Sequence, residues 1–338
     1  MILDAVERLG IVPTACAGHS LGEYTALVAA GALSFEDGVA VVSERGDAMQ
    51  AAADDVPGCM SSIFGLDDEG VDVACRRADG EVWVANYNAP EDLVIAGRES
   101  CVASAAALAL SFGARKVAPV AVGGAFHTPY MAPARDRLRK ALRQTTFREP
   151  EVPVVANVDA RPHRSAEEWE SLLSAQLCSP VRWCQSVLEV AGLGGDDPAE
   201  HHDGERLFVE LGPGDSLTSL IRRIAPAATA LTVPTPEALD SLVEAIAGHT
   251  ALQTFAAGHH GEHLYVSERV VISPCAGVFE PTGGAIAGDA APIEVGTLLG
   301  HVSGEEVRSP FPGLLMGMLA FPGERVQTGQ PVAWLRVG

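Results

Sequence analysis

The chain has 338 residues, 47% of them hydrophobic and 20% charged, enough to bury a large core and to form about two or three compact units. A formal charge of -21 argues against nucleic acid and anionic membranes as partners, and seven cysteines without a C-x-x-C pair argue against a disulfide framework and a zinc knuckle. No apolar run is long enough to cross a bilayer, and MILDAVERLG lacks the unbroken apolar stretch of a signal peptide, so a cytoplasmic location is expected.

Residues 1–9 read as a helix and Ile11 to Ala17 as a short buried strand, which puts Gly18-His19-Ser20-Leu21-Gly22 at a strand-to-helix turn. Residues 1–57 form the first part of an α/β core. Residues 58–122 run strand, helix, strand, strand, helix, strand, the order of an inserted ferredoxin-like subdomain. Residues 123–247 return to the α/β core with strands such as VPVVANV and RLFVELG, and 248–268 read as a linker. Residues 269–338 are predicted to be all-β. There Ser273-Pro274-x-x-Gly277 recurs as Ser309-Pro310-x-x-Gly313, and IEVGTLLGHV is answered by VQTGQPVAWL, which predicts a small sandwich of two matching halves.

G-x-S-x-G alone is a weak signal, but a strand before it and a helix after it make a nucleophile elbow. Glycine is expected on both sides because a β-carbon would clash there, and the turn places Ser20 at a helix N-terminus that favours negative charge. A serine hydroxyl needs a base, and His127 in GGAFHTPYM, between a strand and a helix, is the best candidate. His201, His202, His259, His260 and His263 lie in polar stretches that read as loop composition, with no metal site expected.

GHSLGEY, SERGDAMQ, VANYNAPEDLVIAG, GAFHTPYM, QLCSPVRW and ELGPGDSLTSLIRR stand in the order of the motifs of the malonyl-CoA:acyl-carrier-protein transacylase family, which the chain resembles. The resemblance implies a malonyl-Ser20 ester, His127 as base and then acid, and a Gln176 main-chain carbonyl that orients the imidazole. It assigns the Leu21 amide to the oxyanion hole, Arg45 to the malonyl carboxylate, and Phe126 and Asn88 to the substrate. Bulk at Phe126 and Leu21 favours malonyl over methylmalonyl. No metal or redox cofactor is required; the partners are a coenzyme A thioester and an acidic acyl carrier protein. For that carrier, Arg135, Arg139 and Arg143 make a basic stripe if they share a helix.

Family members carry some seventy residues before the elbow, with a G-Q-G-S-Q loop that donates the second oxyanion amide. The resemblance therefore leaves three alternatives: another polypeptide supplies that segment, Met1 is a misplaced start, or the chain is an impaired assembly subunit. The tail resembles the biotinyl/lipoyl carrier fold, but the only lysines are Lys116 and Lys140, so lysine amide attachment is not expected and a docking role is. A serine thioesterase is a further alternative, disfavoured by Arg45.

Overall fold

The computed structural model describes residues 2–192, 206–246, 268–282 and 291–336, in two units, Met1–Gln253 and Thr254–Gly338. In the first unit, helix α1 (Ile2–Arg8) buries Val6 beside Val233 and Leu242. The strand predicted over 11–17 shrinks to β1 (Cys16–Ala17). Pro13 has no N–H to give to a ladder, which limits pairing upstream. VPVVANV likewise shortens to β6 (Val154–Val155), which runs parallel to β1 and pairs on its other side with β7 (Pro162–His163).

This small sheet is enclosed by helices α2 (Gly22–Ala29), α3 (Phe35–Asp55), α6 (Ala132–Leu142) and α7 (Trp169–Gln176). The start of α3 is fixed by Ser34, whose Oγ accepts from the Asp37 amide at 3.0 Å, satisfying one of the free donors of the first turn. Tyr24, Leu27, Leu138, Leu142, Trp169 and Leu173 form the core between the helices.

A second layer is a four-stranded antiparallel sheet in the order β3-β4-β2-β5, built from β2 (Cys59–Phe64), β3 (Val82–Ala89), β4 (Asp92–Gly97) and β5 (Lys116–Val120). Its two faces follow the period of two along β4. Leu93 and Ile95 pack with residues of α4 (Asp68–Arg77) and α5 (Glu99–Ser111), whereas Val94 and Ala96 pack with Met60, Ala85 and Ala125. The second face brings the sheet against the loop that carries His127.

Helix α8 (Trp183–Val190), strand β8 (Leu207–Leu211), helix α9 (Ser216–Ile224) and strand β9 (Thr229–Val233) complete the first unit, β8 and β9 being parallel. Glu210 at the end of β8 accepts from the amides of Leu217 and Thr218 at 3.1 and 2.7 Å, matching a carboxylate to the positive end of α9. Arg223 on α9 pairs with Asp92 of β4. Among the described residues, no helix is long and apolar enough to cross a membrane.

The second unit holds two four-stranded sheets. One contains β10 (Glu268–Ile272), β12 (Ala291–Ile293), β15 (Gly313–Met318) and β17 (Pro331–Arg336). The other contains β11 (Gly277–Pro281), β13 (Leu298–Val302), β14 (Glu305–Arg308) and β16 (Arg325–Val326). Phe279, Leu299, Val302, Val332 and Leu335 fill the core. The repeated serines do matching work. Ser273 Oγ donates to the Cys275 carbonyl and Ser309 Oγ to that of Phe311, each at 2.7 Å. The link between β13 and β14 is a two-residue turn of Ser303 and Gly304, with φ of +51° and +89°, since Glu305 and Glu306 already pair with β13.

Phe279→Ala is expected to cost this unit about 3–5 kcal/mol, the usual range for deleting a fully buried aromatic ring. Hydrogen exchange of the β13 and β17 amides checks it, and unchanged protection would contradict the packing.

Candidate active site

Ser20 lies between β1 and α2 with φ of +54°, in the left-handed region that disfavours a β-carbon. Neighbouring groups hold it there. The Ser20 amide donates to Asn157 Oδ1 at 2.7 Å, Asn157 Nδ2 donates to the Gly18 carbonyl at 2.7 Å, and Gln176 Nε2 donates to the Ser20 carbonyl at 2.9 Å. Gly18 is required by space, since a β-carbon there would sit 2.0 Å from the Gly22 carbonyl oxygen. Gly22 is not: a β-carbon on it meets nothing within 4 Å, contrary to the two-sided clash expected from sequence, because it points outward from the first turn of α2. The Leu21 amide, next along the turn, donates to no acceptor among the described residues.

His127 follows β5 on the Gly123–Phe126 loop and also has a positive φ, +59°. Thr128 fixes the exit, donating from Oγ1 to the Ala125 carbonyl at 2.6 Å and accepting from the Tyr130 amide at 3.3 Å. His127 Nδ1 lies 2.9 Å from the Gln176 carbonyl, to which it must donate, so Nε2 accepts from Ser20 Oγ at 2.8 Å. Gln176 is the last residue of α7, where helix carbonyls lack helical partners and the dipole is negative. A main-chain oxygen therefore occupies the place of a triad carboxylate.

Arg45, buried in the middle of α3, donates from Nη2 both to Ser20 Oγ at 2.8 Å and to Gln176 Oε1 at 3.2 Å. Its guanidinium carbon lies 5.7 Å from the centroid of the Tyr24 ring, and its buried Nε has no partner. Glu23, with no exposed surface, accepts from Gln176 Nε2 through Oε2 and from the Asn157 amide through Oε1, the latter at 3.2 Å.

Burial pushes all three ionisable groups toward their neutral forms. It lowers His127 to about 3, with the charge of Arg45 adding to the effect, raises Glu23 to about 7 against the pull of its hydrogen bonds, and draws Arg45 down. His127 is therefore the neutral imidazole that a base must be, and it does not titrate between pH 5 and 9.

A cleft of about 320 Å³ opens over Ser20, Arg45 and His127 and is walled by Met49, Met60, Val94 and Phe126. A serine hydroxyl bonded to a neutral imidazole, with a guanidinium beside both in one cleft, can move an acyl group that carries a negative charge.

The acyl transferase domain family matches residues 3–222. The chain belongs to that family. It is 41% identical over 237 residues to a malonyl CoA-acyl carrier protein transacylase of Salmonella typhimurium, covering 70% of this chain and 74% of the relative. The fold is similar to that of an acyl carrier protein S-malonyltransferase from Vibrio cholerae, with a TM-score of 0.65 and 36% identity over 71% of this chain and 76% of that one. It is also similar to a type II PKS acyl-carrier protein's malonyl-transacylase, solved in complex with that carrier, with a TM-score of 0.66 and 37% identity over 72% and 77% of the two chains.

Of the residues expected from sequence, the acyltransferase site brings together Ser20, His127, Gln176, Arg45 and Phe126. Leu21 does not line the cleft, and its side chain is half exposed. Asn88 is turned onto His19, with Oδ1 3.0 Å from His19 Nε2. Asn86 lines the cleft in its place, with a buried Oδ1 that has no partner. Arg135, Arg139 and Arg143 stand on and just after α6, well supplied with carboxylates: Arg135 meets Asp136, and Arg139 and Arg143 share Glu170. His201, His202, His259, His260 and His263 lie outside the described residues. Sequence reasoning missed Asn86, Asn157, Glu23 and the Gln176 side chain. The signal for Glu23 was an acid one position before a buried tyrosine in a small, apolar helix.

Gly18→Ala is expected to slow covalent labelling of Ser20 by about 100-fold or more, because relieving the overlap displaces the elbow by more than catalytic geometry tolerates. Gly22→Ala is expected to label at nearly the parental rate, and the reverse order would contradict the assignment of the two glycines.

Proposed function

We propose that the chain transfers malonyl from coenzyme A to the phosphopantetheine thiol of an acyl carrier protein through a malonyl-Ser20 ester. The observation that carries this reading is Ser20 Oγ held between His127 Nε2 and Arg45 Nη2, each at 2.8 Å. In malonyl only one carbon separates the thioester carbonyl from the free carboxylate. A cation that must hold the carboxylate while Oγ attacks the carbonyl therefore has to lie beside the nucleophile, where Arg45 is. Arg45 lines the cleft beside Ser20, so a carboxylate that enters there meets the guanidinium.

In the first half-reaction His127 Nε2 takes the hydroxyl proton as the Oγ–carbon bond forms, and the Leu21 amide faces the oxygen that becomes negative. The intermediate collapses with cleavage of the carbon–sulfur bond, and His127 returns its proton to the coenzyme A sulfur. In the second half-reaction the carrier's thiol gives its proton to the same nitrogen, its sulfur attacks the ester, and Ser20 is regenerated with the proton. The two halves share one site, so ping-pong kinetics follow. Phe126, in the cleft wall, supports malonyl over branched analogues, though a methyl group is worth only about 1–3 kcal/mol.

The Arg135, Arg139 and Arg143 stripe supports carrier docking through its excess of positive charge over Asp136 and Glu170, with Lys140 alongside. The second unit, without lysine, is read as a docking module in the shape of a biotinyl/lipoyl domain. A carrier charged from coenzyme A fits a cytoplasmic setting.

Radiolabelled malonyl-CoA should leave stable label on Ser20 that a carrier thiol removes; label lost to free malonate would mean hydrolysis, and none would mean an inactive subunit. Arg45→Ala should cost malonyl transfer about 2–5 kcal/mol and relatively favour acetyl transfer, since it removes one partner of a buried charge pair. Equal loss for both acyl groups would remove Arg45 from the specificity role. Reversing the charge of Arg139 and Arg143 should raise the KM for the carrier and leave coenzyme A ester hydrolysis untouched, and an unchanged KM would dismiss the stripe.

A further inference from the structure

The nucleophile, the base and the carboxylate fork meet at two neutral side chains. Asn157 holds the amide side of the elbow, through the Ser20 amide and the Gly18 carbonyl. Gln176 holds the other side through the Ser20 carbonyl, holds Arg45 through Oε1, and holds His127 through its own carbonyl. Both side chains can rotate, and an amide turned over would offer donors where acceptors are needed. Glu23 fixes the Gln176 side chain, one carboxylate oxygen accepting from its Nε2, while the other oxygen accepts from the Asn157 main-chain N–H and so holds the backbone that carries the Asn157 side chain.

We propose that Glu23 is a positioning residue of the acyl-transfer reaction, its buried carboxylate fixing the Gln176 side chain and the Asn157 main chain and through them Ser20 and Arg45. It touches no substrate. Both groups facing its oxygens are donors, so the ionised carboxylate accepts from them more strongly than the protonated acid, whose O–H oxygen is the poorer acceptor. The charged and titratable groups that act on it are Arg45 from α3, Asp159 from the loop after β6, and Tyr24 beside it on α2. Burial outweighs Arg45 and brings the carboxyl to about 7. Its ionised share therefore falls as pH drops through neutrality, while His127, at about 3, has no part in that range. The inference rests on the acyl-transfer reading of Ser20 but not on the identity of the acyl group.

The test is the rate at which a fluorophosphonate, which reacts with any activated serine, labels the full chain between pH 5 and 9. The parent is expected to lose rate below about pH 7, and Glu23→Gln to be slower by about 10- to 100-fold and to lose that acid limb. With malonyl-CoA as the acyl donor, the same variant should lose maximal rate and, because Arg45 is loosened through Gln176, should also need a higher half-saturating concentration. Labelling of Glu23→Gln at the parental rate, or with the parental acid limb, overturns the proposal, because a carboxylate needed only for packing would change stability and leave the pH profile alone. Should Glu23→Gln not fold, as judged by circular dichroism, Glu23→Asp keeps the charge but draws it back by one methylene: slower labelling supports the proposal, and parental labelling overturns it. A parent that reacts with the fluorophosphonate but not with malonyl-CoA overturns the malonyl reading alone.

Discussion

The site depends on one backbone conformation. Ser20 at φ of +54° turns the chain from β1 into α2 so sharply that Oγ stands clear of both, and a non-glycine residue stays there only if its surroundings over-determine it. Here both peptide groups flanking Ser20 are tied to side chains from distant parts of the sequence, Asn157 after β6 and Gln176 at the end of α7. The same ties set the direction of the hydroxyl. The cost of order 1–3 kcal/mol for such a residue is thus offset by hydrogen bonds that also build the catalytic geometry.

On the proposed reading Gln176 joins the two tasks of base and specificity. Its main chain belongs to the end of a helix, so the carbonyl that orients His127 is as rigid as α7 itself, and Trp169 and Leu173 anchor that helix in the core. Its side chain, by contrast, is positioned by neighbours: Arg45 on one side, Glu23 and the Ser20 carbonyl on the other. Changing the side chain leaves the carbonyl in place but loosens Arg45, so selectivity and base strength are separable functions of one residue.

Much of this was legible in the sequence because it was local. The elbow is five consecutive residues, the order of elements in residues 58–122 follows periodicity, and Ser273 and Ser309 declare their equivalence by repeating. Strand lengths were not legible, since Ile11 to Ala17 and VPVVANV have the composition of strands while only two residues of each find a partner. Nor was the use of Gly22, which looks the same as Gly18 in a motif and differs only in what lies beside its α-carbon. Asn157 and Glu23 escaped for a related reason. A polar residue in an apolar segment announces burial only when its partner is known, and their partners are 137 and 153 positions away in sequence.

Burial explains how substrate charge and base strength are linked. Arg45 lowers the basicity of His127 because its positive charge disfavours a second one nearby, in a site where solvent screens little. A carboxylate seated on Arg45 cancels much of that charge, and His127 then accepts the Ser20 proton against a smaller opposing field. An acyl group without a carboxylate leaves the guanidinium uncompensated and hydrogen-bonded to Ser20 Oγ. On the proposed reading the fork selects chiefly by holding the right substrate, and the relief it gives His127 is a smaller effect, since burial is the larger cause of that low basicity. Lysine could supply the charge but not the planar set of donors of a guanidinium, whose Nη2 alone already holds both Gln176 and Ser20.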